Sequence, residues 1–98
     1  MVRSRALFIV SFVLAAVGGA SAADAPRGAS SCIGCHAARP GIEDALPSLK
    51  GRKASEVTEA MLAFRQDRKP ATVMNRIAKG FSDAEIAAIA DWFAEQQP

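Results

Sequence analysis

The feature that most constrains this chain is a cluster of thiol and imidazole side chains. In the stretch SSCIGCHAARPG, residues 30–41, the cysteines are Cys32 and Cys35 and the histidine is His36. The 98-residue chain has no other cysteine or histidine. Because residues three and four positions apart share one face of a helix, a short helix here would present all three side chains to the same side. Any fold proposed for the chain has to account for this C-x-x-C-H site.

Residues 1–22 predict a secretory signal peptide. Arg3 and Arg5 provide a positive start, residues 7–17 are an uncharged and mostly apolar run, and the segment ends in the small residues Ala-Ser-Ala. The apolar run is shorter than the roughly 20 residues that span a bilayer, which favours cleavage over a membrane anchor. We therefore expect an exported, periplasmic domain formed by residues 23–98, with no stable membrane insertion after cleavage.

The charge and size of this expected domain narrow its function. Cleavage would remove Arg3 and Arg5, so the twelve basic residues of the whole chain would become ten, equal to the ten acidic residues. A neutral domain offers no basis for nucleic-acid binding. A chain this small usually needs disulfides, a metal or a cofactor to support its core. Since two cysteines make at most one disulfide, that need also points to the C-x-x-C-H site.

The remaining pattern predicts an all-α fold, beginning with two helices and a loop. Ser30 or Ser31 is expected to cap a short helix over residues 32–38, and Pro40 and Gly41 are expected to end it. Residues 41–53 lack a steady period and predict loop. The run SEVTEAMLAFRQ that follows, at residues 55–66, places Val57, Met61 and Phe64 at helical spacing, with Ser55 as the expected cap.

The C-terminal third predicts two further helical segments. Residues 70–80 form a connecting segment, with one helical turn expected at 75–79. Ser82 and Glu85 have the spacing of a capping box, in which each side chain accepts a hydrogen bond from the other residue's backbone N–H. An apolar stripe follows the capping box, formed by Ile86, Ile89, Ala90 and Phe93 and widened by Trp92. No segment predicts a strand.

Four interpretations of the cysteines and histidine compete. The C-x-x-C-H string is the attachment pattern for haem c, in which both thiols add to haem vinyl groups and His36 ligates the iron. A thiol–disulfide motif normally follows a strand in a βαβ pattern, which is absent here. A closed zinc site needs four ligands, and no further cysteine or histidine supplies the fourth. The last alternative is a structural disulfide beside a histidine. The haem interpretation is favoured.

Methionine is the residue expected to complete the iron coordination. No second histidine exists, so the sixth position is filled by methionine or is open. Residues 23–98 contain Met61 and Met74. Met61 lies on the apolar stripe of the 55–66 helix, the usual place for a core methionine, whereas Met74 lies in the irregular segment, where the backbone can bend toward the iron. Met74 is the favoured ligand, and a Met/His iron carries electrons rather than binding oxygen or substrate.

With these residues the chain resembles the small class I c-type cytochromes. The motifs that carry the resemblance are the C-x-x-C-H site, LPSLKG at 46–51, and a methionine eight positions before Ser82. The resemblance implies one covalent haem c, with Pro47 accepting the N–H of the proximal His36 and Met74 as distal ligand. It also implies that Trp92 and Phe93 lie on a last helix packed near the haem helix. The N-terminal helix of many members is expected to be short or missing here, and Ala37 stands where many have glycine.

Residues 61–96 are similar to the haem subunit of flavocytochrome c sulfide dehydrogenases. This similarity implies an electron acceptor for a sulfide-oxidising flavoprotein, although the polypeptide itself carries no bond-making chemistry. One alternative is a free-standing shuttle between respiratory complexes, and the alternative from another class is a cofactor-free exported thiol or disulfide protein. Residues 65–79 carry five basic residues against one acidic residue, and residues 83–98 carry four acidic residues and no basic one. This polarity predicts either a basic docking surface for an acidic partner or two ordinary solvated faces.

Overall fold

The structure, a computed structural model, describes residues 24–98. The predicted signal peptide, residues 1–22, lies outside the described residues. Four helices occupy the described chain: α1 Ala29–His36, α2 Ala54–Arg65, α3 Met74–Ala78 and α4 Asp83–Glu95. No strand occurs between residues 24 and 98. The predicted all-α class is therefore confirmed, as is the loop predicted at 41–53.

Helix α1 begins earlier and ends earlier than predicted. Its N-cap is Gly28, in the left-handed conformation at φ +92°, and no side chain caps it, so the prediction of a Ser30 or Ser31 cap was wrong. A Cβ atom at Gly28 would lie 2.6 Å from Cε1 of Phe81, so tertiary packing places the helix start at a residue without a side chain. At the other end, Ala37 is already extended (ψ 149°), and the helix stops at His36.

Helix α2 matches its predicted span to within one residue, but its cap does not match. The N-cap is Lys53 without a side-chain cap, so Ser55 lies inside the first turn and the prediction that it caps the helix was wrong. At the C-terminal end, Arg65 donates to the carbonyl of Phe81 at 3.1 Å and forms an ion pair with Asp83. Arg65 therefore ties the end of α2 to the start of α4.

The last two helices agree with their predictions. Helix α3 is the short helix expected in the connecting segment, and Lys79, just after it, pairs with Asp67 at 2.8 Å. At the start of α4 both bonds of the capping box are present: Glu85 N–H donates to Ser82 Oγ, and Ser82 N–H donates to Glu85 Oε1, each at 3.2 Å. A helix whose first N–H groups are satisfied this way starts at a defined residue.

The core joins α1 to α4. Ala29, Ile89 and Phe93 are buried together, and several partly buried side chains pack against them: Cys32, Ile33, Leu49, Phe81 and Trp92. The contact with α4 comes from the first turn of α1, where the small Ala29 is fully buried. Helix α2 packs against both α3 and α4. This arrangement leaves a cavity between α1 and the other three helices.

Candidate functional site

The four helices and two loops enclose a cavity of about 670 Å³. This volume falls within the roughly 300–1,000 Å³ of cavities that hold small molecules and cofactors. Its walls are mainly apolar and include Leu46 and Leu49 from the first loop, Val57 and Phe64 from α2, Ile77 from α3, and Ile86 and Ile89 from α4. Both cysteines, the histidine and both methionines of the described chain also line it. The predicted functional residues are therefore brought to one site.

The two cysteines present free thiols to the cavity from α1. Cys35 is exposed, whereas Cys32 is half-buried and donates weakly to the carbonyl of Gly28 at 3.5 Å. Burial raises the pKa of the Cys32 thiol, and a hydrogen bond from the backbone of Cys32 itself opposes that shift. The thiols are three residues apart on one helix, and both remain available for covalent attachment to a group in the cavity.

The imidazole of His36 is oriented by the loop that follows α1. Its Nδ1 lies 2.8 Å from the carbonyl oxygen of Pro47. Because a carbonyl can only accept a hydrogen bond, Nδ1 carries the proton and Nε2 is the ring nitrogen left with a lone pair. A backbone acceptor that fixes the tautomer in this way is typical of a metal-ligating histidine. The cavity wall thus provides one oriented imidazole ligand.

Two methionines face the same cavity. Met74 is the first residue of α3, and Met61 lies within α2; both are half-buried and both line the cavity. The sequence pattern indicated Met61 as an ordinary core residue, but the structure also places it at the site. The choice between the two thioethers as an iron ligand therefore stays a prediction.

The residues at this site fit a haem. A planar, largely apolar ring requires an apolar cavity, two thiols on one helix face to anchor it, and imidazole and thioether ligands for its iron, all of which line this cavity. A bare metal ion has no comparable site, because the described residues contain no group of three or more cysteine, histidine, aspartate or glutamate side chains suited to hold one. The donor set therefore suits an iron that is carried by a ring.

The cavity also has charged lining residues that sequence reasoning did not identify. These are Asp44, Arg52, Glu56 and Lys69. Arg52 donates through Nε to the carbonyl of Ser48 at 2.8 Å, and Lys69 Nζ lies 5.3 Å from the centroid of the Phe64 ring. The only signal for Arg52 in the sequence is its position directly after the LPSLKG motif. An isolated basic residue in a loop is too common to be singled out.

The fold and the site together define a small haem protein of the cytochrome c type. Comparison with known proteins supports the same class of protein. The chain is 33% identical over 100 residues to cytochrome c-553 of Nitratidesulfovibrio vulgaris, covering 93% of this chain and 97% of the relative. It is 35% identical over 63 residues to the cytochrome subunit of sulfide dehydrogenase of Chlorobaculum tepidum, covering 64% of this chain and 57% of the relative. No family model and no solved structure matches the chain.

A third relative is the thiosulfate dehydrogenase electron acceptor of Stutzerimonas stutzeri, 34% identical over 72 residues. The match covers 69% of this chain and 33% of the relative, so the chain spans only part of two of these three proteins. The near-complete coverage of cytochrome c-553 shows the family. The chain belongs to the class I c-type cytochromes, electron carriers with a covalent haem c that work with a redox partner. Within residues 24–98 no helix has the length and apolarity to cross a membrane.

Proposed function

We propose that this cytochrome is a periplasmic single-electron carrier with one haem c ligated by His36 and Met74. Cys32 and Cys35 would hold the haem through thioether bonds, which form when each thiol adds across a vinyl group. When bound, the haem iron supplies one-electron chemistry between its ferric and ferrous states. The observation that carries the proposal is the cavity itself, in which two thiols, an oriented imidazole and a thioether share apolar walls.

In this function the polypeptide would fix the positions of the iron ligands. Pro47 keeps the proton on Nδ1 of His36, so Nε2 stays unprotonated and ready to ligate. The apolar walls, which include Leu49, Phe64 and Ile86, would surround a bound haem with nonpolar side chains, and the low local polarity would tune its reduction potential. If His36 and Met74 both ligate the iron, no ligand position would be left for a substrate, which suits transfer of electrons alone.

Met74 is favoured over Met61 as distal ligand because of where each residue lies in the fold. Met74 opens a five-residue helix that follows an irregular segment, and Val73 before it is not helical (φ −137°). Such a segment can adjust to bring a sulfur to the iron. Met61 lies mid-way along the twelve-residue α2, whose backbone is constrained by its own hydrogen bonds.

The proposed electron donor is the flavoprotein subunit of a sulfide-oxidising enzyme. The support is the similarity to a protein named as the cytochrome subunit of sulfide dehydrogenase, together with a second relative named as an electron acceptor of thiosulfate dehydrogenase. The second candidate is a free-standing shuttle between respiratory complexes. It is favoured by the match along almost the whole length of cytochrome c-553. Stable co-purification with a flavoprotein would separate the two.

The site assignment is tested by visible spectroscopy of the holoprotein made with a cytochrome c maturation system. We expect sharp split bands on reduction, haem that survives acid–acetone extraction, and a weak far-red band from the methionine–iron bond in the oxidised form. Met74→Ala should keep the covalent haem, lose the far-red band and lower the reduction potential, because an open or water-filled sixth position favours ferric iron.

Met61→Ala is the matched control, since it removes the same side chain from the same cavity. It should keep the far-red band. If Met61→Ala loses the band and Met74→Ala keeps it, the ligand assignment is wrong. A colourless protein would instead contradict the haem site and leave Cys32 and Cys35 as a thiol pair.

A further inference from the structure

The loop that orients His36 is also attached to α4. His36 Nδ1 lies 2.8 Å from the carbonyl oxygen of Pro47, and four residues later the N–H of Gly51 donates to the carbonyl of Phe93 at 2.9 Å. Between them, Leu49 packs against the buried core that contains Phe93. This loop therefore joins the histidine at the end of α1 to the last turns of α4.

The hydrogen bond from Gly51 reaches the end of a helix. The last four carbonyl groups of a helix have no partner N–H within the helix. Because α4 ends at Glu95, the carbonyl of Phe93 is one of these groups, and it accepts from Gln96 N–H at 3.1 Å as well as from Gly51. The loop thus caps α4 from a distant part of the sequence, which gives Gly51 a defined position.

Gly51 lies in a closely packed place. Its φ is +74°, a conformation that favours glycine, and a Cβ atom there would lie 2.8 Å from Cγ of Pro98 and 3.4 Å from the carbonyl oxygen of Gln96. Gly41, in the same loop, has φ +87°, but a Cβ atom there would have no heavy atom within 4 Å. The two glycines share a backbone conformation and differ in their packing against the residues that follow α4.

Hydrogen bonds within the loop couple the position of Gly51 to that of Pro47. The N–H of Arg52 donates to the carbonyl of Leu49 at 3.2 Å, and its Nε donates to the carbonyl of Ser48 at 2.8 Å. The fixed φ of proline further restricts the backbone at Pro47. A shift of Gly51 should therefore move the Pro47 carbonyl as well.

We propose that Gly51, docked on the end of α4, is a positioning residue that holds the Pro47 carbonyl against Nδ1 of His36. The proposal rests on the function proposed above, in which His36 ligates a haem iron. A hydrogen bond from the other ring nitrogen raises the basicity of a ligating histidine, and a more basic ligand stabilises ferric iron more than ferrous iron. A weaker contact between Pro47 and His36 should therefore raise the reduction potential.

The test compares Gly51→Ala with Gly41→Ala as covalently loaded holoproteins. Both substitutions place a side chain at a positive φ, but only Gly51→Ala brings it against residues 96–98. Gly51→Ala should raise the midpoint potential and speed the exchange of the His36 Nδ1 proton with solvent by roughly 5- to 30-fold, the range expected for a lost hydrogen bond. Gly41→Ala should change neither quantity. The proposal is overturned if Gly51→Ala leaves the potential and the exchange rate unchanged or if Gly41→Ala changes them as much.

A second measurement needs no variant. In the reduced, unmodified holoprotein, hydrogen exchange of the Gly51 N–H and of the His36 Nδ1 proton, followed by NMR, should occur through one common opening with the same dependence on denaturant. Exchange of the His36 proton through an opening that leaves Gly51 protected would overturn the proposal even if Gly51→Ala failed to fold. Failure of the haem site itself would be recognised separately, because no covalent haem would then be present in any of these proteins.

Discussion

At the scale of single residues, Gly28 shows how strongly one position can be determined by its neighbours. Its φ of +92° disfavours any side chain, and a Cβ atom would lie 2.6 Å from Cε1 of Phe81 and 3.4 Å from Cδ1 of Ile89. Phe81 is partly buried and packs against the core, so moving its ring away would disturb that packing. We expect Gly28→Ala to destabilise the holoprotein by about 2–4 kcal/mol, combining left-handed strain with overpacking. Denaturant unfolding followed by circular dichroism measures this.

Gly41→Ala separates the left-handed strain from the overpacking as causes of the lost stability. Gly41 also has a positive φ, +87°, but a Cβ atom there would have no heavy atom within 4 Å. It should therefore show the conformational strain alone, about 1–2 kcal/mol. Equal losses in the two variants would mean that the contact with Phe81 is relieved at no cost and that packing does not place the start of α1.

At the scale of the helix, α4 depends on its capping box. Ser82→Ala removes the acceptor for the N–H of Glu85 and should destabilise the protein by about 1 kcal/mol. The hydrogen bond from the backbone N–H of Ser82, then the Ser82 side chain and Arg27, hold the pKa of Glu85 below its ordinary value. A lowered folded-state pKa means that the carboxylate stabilises the fold above its unfolded pKa, about 4.3, and that this contribution is lost as pH falls through the folded-state pKa.

Glu85→Gln removes the charge of the Glu85 carboxylate and keeps the size of the side chain. The variant should be less stable than the unmodified protein at neutral pH, and the difference should vanish in acid, where the carboxyl group is protonated and resembles the amide. The loss in Ser82→Ala should shrink in acid without vanishing, because the hydroxyl accepts from the Glu85 N–H at every pH and also helps to lower the pKa of the Glu85 carboxyl. Unfolding curves at neutral pH and near pH 3 would reveal the contrast, and a pH-independent Glu85→Gln would contradict it.

At the scale of the whole molecule, the structure changes which residues of the basic segment are available to a partner. Lys79 pairs with Asp67, and Arg65 pairs with Asp83, while Arg68, Lys69 and Arg76 form no ion pair within the described chain. Arg76 is exposed on α3, two residues after Met74. If these cations steer an acidic redox partner, the bimolecular rate of electron transfer should fall as ionic strength rises.

Stopped-flow kinetics with the purified partner tests this steering. Arg76→Gln should lower the rate at low salt and flatten its salt dependence, because one steering charge is lost. Lys50→Gln removes an exposed charge from the 41–53 loop instead and should change neither the rate at low salt nor its salt dependence. A salt-independent rate, or equal effects of the two substitutions, would mean that the segment is an ordinary solvated face.

The sequence predicted the helical class, the span of α2 and the start of α4 because these depend on local signals. The periodicity of Val57 and Phe64 and the pairing of Ser82 with Glu85 act within one or two turns of chain. The start of α1 was predicted wrongly for the opposite reason. A serine near a helix start can cap it, but here contacts far along the chain, such as Phe81 against Gly28, placed the first turn elsewhere.

By itself, the sequence determined the cofactor class, because two thiols and an imidazole within five residues permit few kinds of chemistry. Only the tertiary structure decided what surrounds that chemistry. It brought Met61 to the same cavity as Met74, set Pro47 against His36, and placed Arg52 at the cavity. The reason is that the residues that attach a haem are neighbours in the sequence, whereas a cavity forms only when distant helices pack together. Helical periodicity does not specify which helix faces will meet.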